Sequence, residues 1–218
     1  MVRLSGPSIP PRAGGTPRQL VVLLHGLGAD GSDLLGLAPM LAERLPRAAF
    51  HAPDAPQACD MAAYGRQWFS LQDRRPEAML RGATLASPAL DEFVDALLAR
   101  YGLGDDRLAL VGFSQGTMMA LHAALRRPRP VAAVLGYSGA LVGAERLAAE
   151  VRSRPPVMLV HGDADDVVPV GAMFMAVEGL AAAEIPVQWL LRPGLPHGID
   201  PEGVEAGGRF LESMLPPG

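Results

Sequence analysis

Apolar positions along the chain fall into two alternating patterns. "QLVVLLHG", residues 19–26, is a short, nearly continuous apolar run closed by glycine, as in a strand buried on both faces. Residues 32–45, "SDLLGLAPMLAERL", space their apolar side chains three and four apart, which predicts a helix with Ser32 as its N-cap. "RAAFHAP" reads as a second short strand, stopped by proline. From residue 107 the alternation becomes regular. Strands are predicted over 107–113, 131–139, 156–163 and 186–194, and helices over 115–127, "AERLAAEV", 170–183 and 203–215. Apolar strands alternating with amphipathic helices predict an α/β fold: a mostly parallel sheet with helices on both faces.

Two regions break the rhythm. Residues 1–18 carry Pro7, Pro10, Pro11 and Pro17 with Gly14 and Gly15, and are expected to form an irregular or edge-strand lead-in. Residues 53–87 are punctuated by Pro53, Pro56, Gly65, Pro76 and Gly82 and read as one long connection. A helix is predicted only from Pro88 onward, over "ALDEFVDALLARYG", closing at Gly102. The connection is dense in apolar groups: Met61, Tyr64, Trp68, Phe69, Leu71, Met79 and Leu80. Either they fasten the loop to the core, or Trp68, Phe69, Leu71, Met79 and Leu80 bind substrate as the wall of a groove.

Sites in open parallel sheets collect beyond the carboxyl ends of the strands. There the chain offers His25-Gly26-Leu27-Gly28, Ser114, three carboxylates in "HGDADDVVP", and His197. Gly112-Phe113-Ser114-Gln115-Gly116 is a G-x-S-x-G between a predicted strand and helix. In that context it marks a sharp turn that lifts a nucleophilic hydroxyl above the sheet. The plain alternative is a serine that only caps the helix. A serine nucleophile needs a base. Among five histidines, His51 lies in an early loop, His122 within a helix, and His25 and His161 each end a strand before glycine. His197 follows the serine and the acidic loop in the chain order Ser, Asp, His. The orienting acid is expected among Asp163, Asp165 and Asp166, which otherwise form a solvated turn or a weak cation site. No second acidic cluster matches them, so no metal is expected.

Composition narrows the setting. At 218 residues, 49% hydrophobic and 19% charged, the chain is expected to fold as one domain over 1–218. A net charge of −4 and scattered arginines argue against a nucleic-acid partner. The single cysteine, Cys59, excludes a disulfide within the chain and fits a reducing compartment. Neither a secretory leader nor an apolar run near the roughly 20 residues of a membrane span is visible. The expectation is a cytoplasmic monomer or homodimer without stable membrane insertion.

"LLHGLGADG", "RQWFSL", "GFSQG", "HGDADDVVP" and "LPHGI" together resemble the phospholipase/carboxylesterase family of α/β-hydrolases, which includes the acyl-protein thioesterases. The resemblance runs from about residue 20 to the C-terminus and implies an α/β-hydrolase without a large cap domain. It implies Ser114, Asp165 and His197 as a catalytic triad, with Asp166 the second choice of acid. It implies an oxyanion hole from the backbone N–H groups of Leu27 and Gln115, and no cofactor. The activity implied is hydrolysis of short-to-medium acyl carboxylic esters, or, with the same triad, acyl-protein thioesterase or lysophospholipase action. A non-catalytic binding protein on the same scaffold is the alternative outside that chemistry, and a transferase or perhydrolase a weaker one. Two positions depart from the family pattern: Ser70, where an acid often follows Trp-Phe, and Thr117, where "GFSQG" often continues with a second glycine.

Overall fold

The computed structural model describes residues 3–216. Strand β1 (Ser8–Ile9) lies antiparallel on the edge of a seven-stranded sheet. The others, β2 (Gln19–Leu24), β3 (Ala48–His51), β6 (Leu108–Phe113), β7 (Ala133–Tyr137), β8 (Val157–Gly162) and β9 (Val187–Arg192), run parallel in the order β1-β3-β2-β6-β7-β8-β9. The chain steps from β2 out to β3, then returns to pair β6 on the other side of β2. That reversal is the switch point at which α/β sheets open a crevice beyond their carboxyl ends. Both Leu24 and Phe113 end at this crevice.

The period of two along β2 explains its continuous apolar run. Leu20, Val22 and Leu24 enter the core on one face, while Val21 and Leu23 enter the core on the other. Four helices contribute to the first core: α3 (Pro76–Tyr101), α4 (Gln115–Arg126), α5 (Ala144–Glu150) and α6 (Gly171–Ala182). The opposite face is covered by α1 (Gly31–Leu35), α2 (Ala38–Arg44) and α7 (Pro201–Met214). With helices on both faces and no large inserted cap, the architecture is that of an α/β-hydrolase. Among the described residues no helix is long and apolar enough to cross a membrane.

Three sequence expectations are corrected. The helix over 32–45 is two helices, because Pro39 at the start of α2 lacks the N–H that would continue α1. Its N-cap is Asp30, whose carboxylate accepts from the Ser32 N–H at 2.8 Å, so Ser32 is capped and does not cap. The helix expected from Pro88 starts at Pro76, and Pro88 lies within it. Leu80, Ala83, Ser87, Leu90, Val94, Leu97 and Leu98 keep one buried face on both sides of the proline. Burial along 26 residues outweighs the one lost hydrogen bond. Residues 53–75 therefore hold the true connection, which contains a small hairpin of β4 (Gln57–Ala58) and β5 (Arg66–Gln67).

Candidate active site

Ser114 sits between β6 and α4 with φ 54° and ψ −116°, a conformation that costs roughly 1–3 kcal/mol for a non-glycine residue. Its neighbours explain why the turn tolerates only glycine at two positions. A Cβ on Gly112 would lie 2.4 Å from the Gly116 and Thr117 backbone, and one on Gly116 would lie 1.8 Å from the Leu24 carbonyl oxygen. The Ser114 N–H donates to Tyr137 O at 2.9 Å, which pins the turn to the adjacent strand. Its side chain makes no capping bond to α4. The N-cap reading therefore has no hydrogen bond behind it, and the hydroxyl is left at the half-buried end of the strand.

Thr117 is buried beneath the turn. Its hydroxyl donates toward Gly112 O at 2.8 Å and Tyr137 O at 2.9 Å. Its methyl is matched by a glycine across the sheet, since a Cβ on Gly136 would lie 2.5 Å from Thr117 Cγ2. Gly136→Ala is expected to lower stability by about 1–3 kcal/mol through overpacking. Thr117→Ser, which removes the methyl, should restore part of that loss in the double variant; thermal denaturation of all three variants measures the coupling.

The three acids of the β8 loop separate cleanly. Asp165 is buried, and its Oδ2 accepts from His197 Nδ1 at 2.8 Å. Its Oδ1 accepts from the N–H groups of Val167 at 3.0 Å and Val168 at 2.8 Å. Burial pushes its carboxyl up, but the bonds from His197, Val168 and Val167 outweigh this, and the group lies below its ordinary range. Asp166 is exposed. Asp163 accepts from the Gly194 N–H at 2.6 Å and so fixes the loop that carries His197. The His197 ring lies on Phe113, the residue before Ser114, with centroids 4.8 Å apart.

The other histidines have structural surroundings. His25 is buried; its Nδ1–H meets Gly26 O at 2.7 Å and its Nε2 accepts from the Ala55 N–H at 3.0 Å. Burial holds its pKa down. His51 pairs with the Tyr101 hydroxyl at 2.9 Å, and burial, with nearby Arg100, lowers it to about 4. Burial and Arg126 lower His122 to about 4 as well. His161 bonds Val168 O at 2.8 Å and stands 3.3 Å from Asp165, behind the carboxylate.

Leu27 is half-buried in the turn after β2. Gly26 allows that turn to lie against the serine, because a Cβ there would fall 3.2 Å from Phe113 Cδ1 and 3.4 Å from Ser114 Cβ. Gly28, at φ 81°, turns the chain back. Gln115 opens α4, so its N–H has no intrahelical acceptor. Two N–H-bearing elements thus flank the serine, one from each side of the crevice.

The proposed groove wall is corrected. Trp68 and Phe69 are 0% and 2% exposed and belong to the main core, so neither offers a surface to a substrate. Leu80 is buried too, facing Gly143. Leu71 and Met79 are half-buried at the edge of the same core, and Met61 and Tyr64 are exposed. The groups that sequence reasoning missed are polar: the Gln115 carboxamide and Ser138, while Asp163, named there only as a candidate acid, instead holds the His197 loop. Ser138, at φ 47°, donates to Gly198 O at 3.2 Å beside His197. A serine just after a strand end was the only sign of it in the sequence.

The sequence pattern of phospholipase/carboxylesterase proteins matches residues 12–215. An acyl-protein thioesterase 1 of Gibberella zeae is 27% identical over 90% of this chain and 91% of its own length. The esterase YpfH of Escherichia coli is 26% identical over 91% of this chain and 84% of its own. Among solved structures, the esterase PE8 superposes with a TM-score of 0.93 at 43% identity, covering 98% of this chain and 100% of that one.

Proposed function

Since the chain belongs to the phospholipase/carboxylesterase family of α/β-hydrolases, and is a hydrolase of small acyl esters or thioesters, we propose that it works through an acyl-enzyme on Ser114. The observation that carries this reading is the strained Ser114 turn, whose preceding residue Phe113 packs against a histidine with its Nδ1 held by a buried carboxylate. With Nδ1 engaged by Asp165, Nε2 is the atom that takes the Ser114 proton. Ser114 Oγ then bonds the acyl carbon, and the carbonyl oxygen takes up negative charge against the N–H groups of Leu27 and Gln115. Collapse breaks the bond to the leaving group, which leaves with the proton from Nε2. Water repeats the sequence, giving its proton to Nε2 and releasing the acid and the free serine.

Thioesters are the favoured substrate class. Acyl-protein thioesterases of Gibberella zeae, Schizosaccharomyces pombe and Mycosarcoma maydis are among the relatives, at 27%, 27% and 28% identity. A thiol, with a pKa of about 8.5, also leaves with less help from the imidazolium than an alkanol does. This moves the thioesterase reading ahead of the carboxylesterase of short-to-medium acyl esters. The esterase PE8, at 43% identity, keeps oxyester hydrolysis as the second reading. Octanoyl thioester and oxyester of matched leaving-group skeleton separate the two. Both should be cleaved, with kcat/KM at least about tenfold higher for the thioester. Turnover of the oxyester alone would reject the thioester assignment, and turnover of neither would reject acyl hydrolysis.

A further inference from the structure

We infer that the segment 65–69 is a strap that sets the spacing of the two oxyanion donors, and that the Trp68 indole and the Gln115 carboxamide are positioning groups within it; this rests on the serine-hydrolase reading above. The strap is stitched on one side to the turn that carries Leu27. Gly28 N–H donates to Arg66 O at 2.8 Å, and Arg66 N–H donates to Ala29 O at 2.8 Å. Trp68 Nε1–H donates to His25 O at 3.0 Å, two residues before Leu27. Gly65, at φ 83°, permits this approach, since a Cβ there would lie 2.0 Å from Gly28 O. On its other side the strap is stitched to residue 115 itself. Trp68 N–H donates to Gln115 Oε1 at 2.9 Å, and Gln115 Nε2 donates to Phe69 O at 2.7 Å.

The circuit is closed. It runs from the Gln115 backbone through its side chain to residues 68 and 69, through the indole to His25, and so to Leu27. Gln115 and Trp68 are both fully buried, which makes these bonds short of competing water and costly to leave half-made. A buried carboxamide is an expensive way to fill a core. An apolar side chain would fill it equally well but would leave Trp68 N–H and Phe69 O unpaired and the strap free to drift from the helix. The two donor peptides sit on separate elements, the turn after β2 and the first residue of α4, and oxyanion stabilisation depends on their being fixed before charge develops. The strap bonds the residues on either side of Leu27 and the side chain of Gln115, so it ties both donor elements together without occupying either donor N–H.

Three replacements separate this role from the donors themselves. Gln115→Met keeps the backbone N–H and deletes both side-chain bonds. Trp68→Phe deletes the indole N–H and some volume. Replacement of Trp68 by β-(3-benzothienyl)alanine exchanges only the N–H for sulfur and keeps the shape, so that one variant retains the packing of the core. Each is assayed for kcat, for KM, and for affinity toward an alkyl trifluoromethyl ketone, whose serine adduct carries an oxyanion, and toward the corresponding carbinol, which forms no adduct. The expected result is a fall in kcat of about ten- to a hundredfold, a parallel loss of ketone affinity, and KM and carbinol affinity within about twofold of wild type. Ketone affinity and kcat at wild-type levels in the benzothienyl variant, or a loss of carbinol affinity equal to the loss of ketone affinity, would overturn the strap. Failure of the serine reading is distinct: Ser114→Ala would then keep its turnover, and the wild-type protein would bind ketone no better than carbinol.

Discussion

Ser114→Ala is expected to lower kcat/KM by about 10⁴-fold or more while moving the melting temperature by no more than about 2 °C. The two halves of this expectation come from the same geometry. The hydroxyl is the only group in the proposal that bonds the acyl carbon, and no neighbouring side chain can take over its bond-forming step. Yet it makes no capping bond to α4, so its loss removes nothing that holds the helix. The strain of φ 54° belongs to the backbone and persists in alanine. Ser114→Gly tests that last point. Glycine adopts positive φ without penalty, so this variant should be inactive but more stable than Ser114→Ala by about 1 kcal/mol or more. Denaturation midpoints and steady-state rates of the two variants check both statements. A serine that served only as an N-cap would give the opposite pattern, with stability lost and turnover kept.

Asp165→Asn is expected to reduce kcat by about 10³–10⁴-fold, against a few-fold for Asp166→Asn. Asparagine would present either a donor or a weaker acceptor to His197 Nδ1, and it would no longer stabilise the imidazolium formed when the serine proton arrives. Asp166 is exposed and holds nothing in the site. The pH dependence follows with a definite sign. The bonds from His197, Val168 and Val167 keep the Asp165 carboxyl below its ordinary value despite burial, so it is ionised throughout the range in which an imidazole titrates. The acid limb of kcat/KM should therefore be one ionisation, with activity rising as the imidazole loses its proton and no carboxylate step beneath it. A depressed carboxyl also stabilises the fold at pH above its unfolded-state value, about 3.9, and that contribution is lost as pH falls through the lower folded-state value. Asp165→Asn should accordingly flatten the acid side of the stability curve. Equal losses from Asp165→Asn and Asp166→Asn would move the acid assignment.

Most of the fold was written in the hydrophobic pattern, because the inner parallel strands are buried on both faces and most of the helices on one. Strand β2 and the alternation from β6 to α7 were read to within a few residues, while the lead-in, expected to be irregular or an edge strand, carries only the two-residue β1. The failures share a cause: local signals were outvoted by tertiary burial. Pro76 and Pro88 look alike in sequence, but one starts α3 and the other lies within it, and only the continuous stripe from Leu80 to Leu98 distinguishes them. Trp68 looked like a substrate wall because aromatics in a proline-rich stretch suggest a pocket. Its indole instead bonds His25 O inside the core, a pairing between residues 43 apart that no local pattern displays. Ser114 and His197 stood out as candidates because the strand ends that bear chemistry are few. The residues alone left Asp163, Asp165 and Asp166 open, and only the family resemblance picked out Asp165, the one that meets the imidazole. The Gln115 carboxamide was hidden in the same way, as its partners lie 46 and 47 residues away.

The nucleophile is the point on which the rest depends, and a fluorophosphonate measures it directly. The reagent forms a bond from phosphorus to the attacking oxygen, fluoride departs, and the oxygen's proton passes to the base. Peptide mapping after labelling should find one equivalent on Ser114, activity falling in proportion to the label, and a labelling rate that collapses in His197→Ala. A label on any other residue, or full activity in protein whose Ser114 is completely modified, would contradict the account.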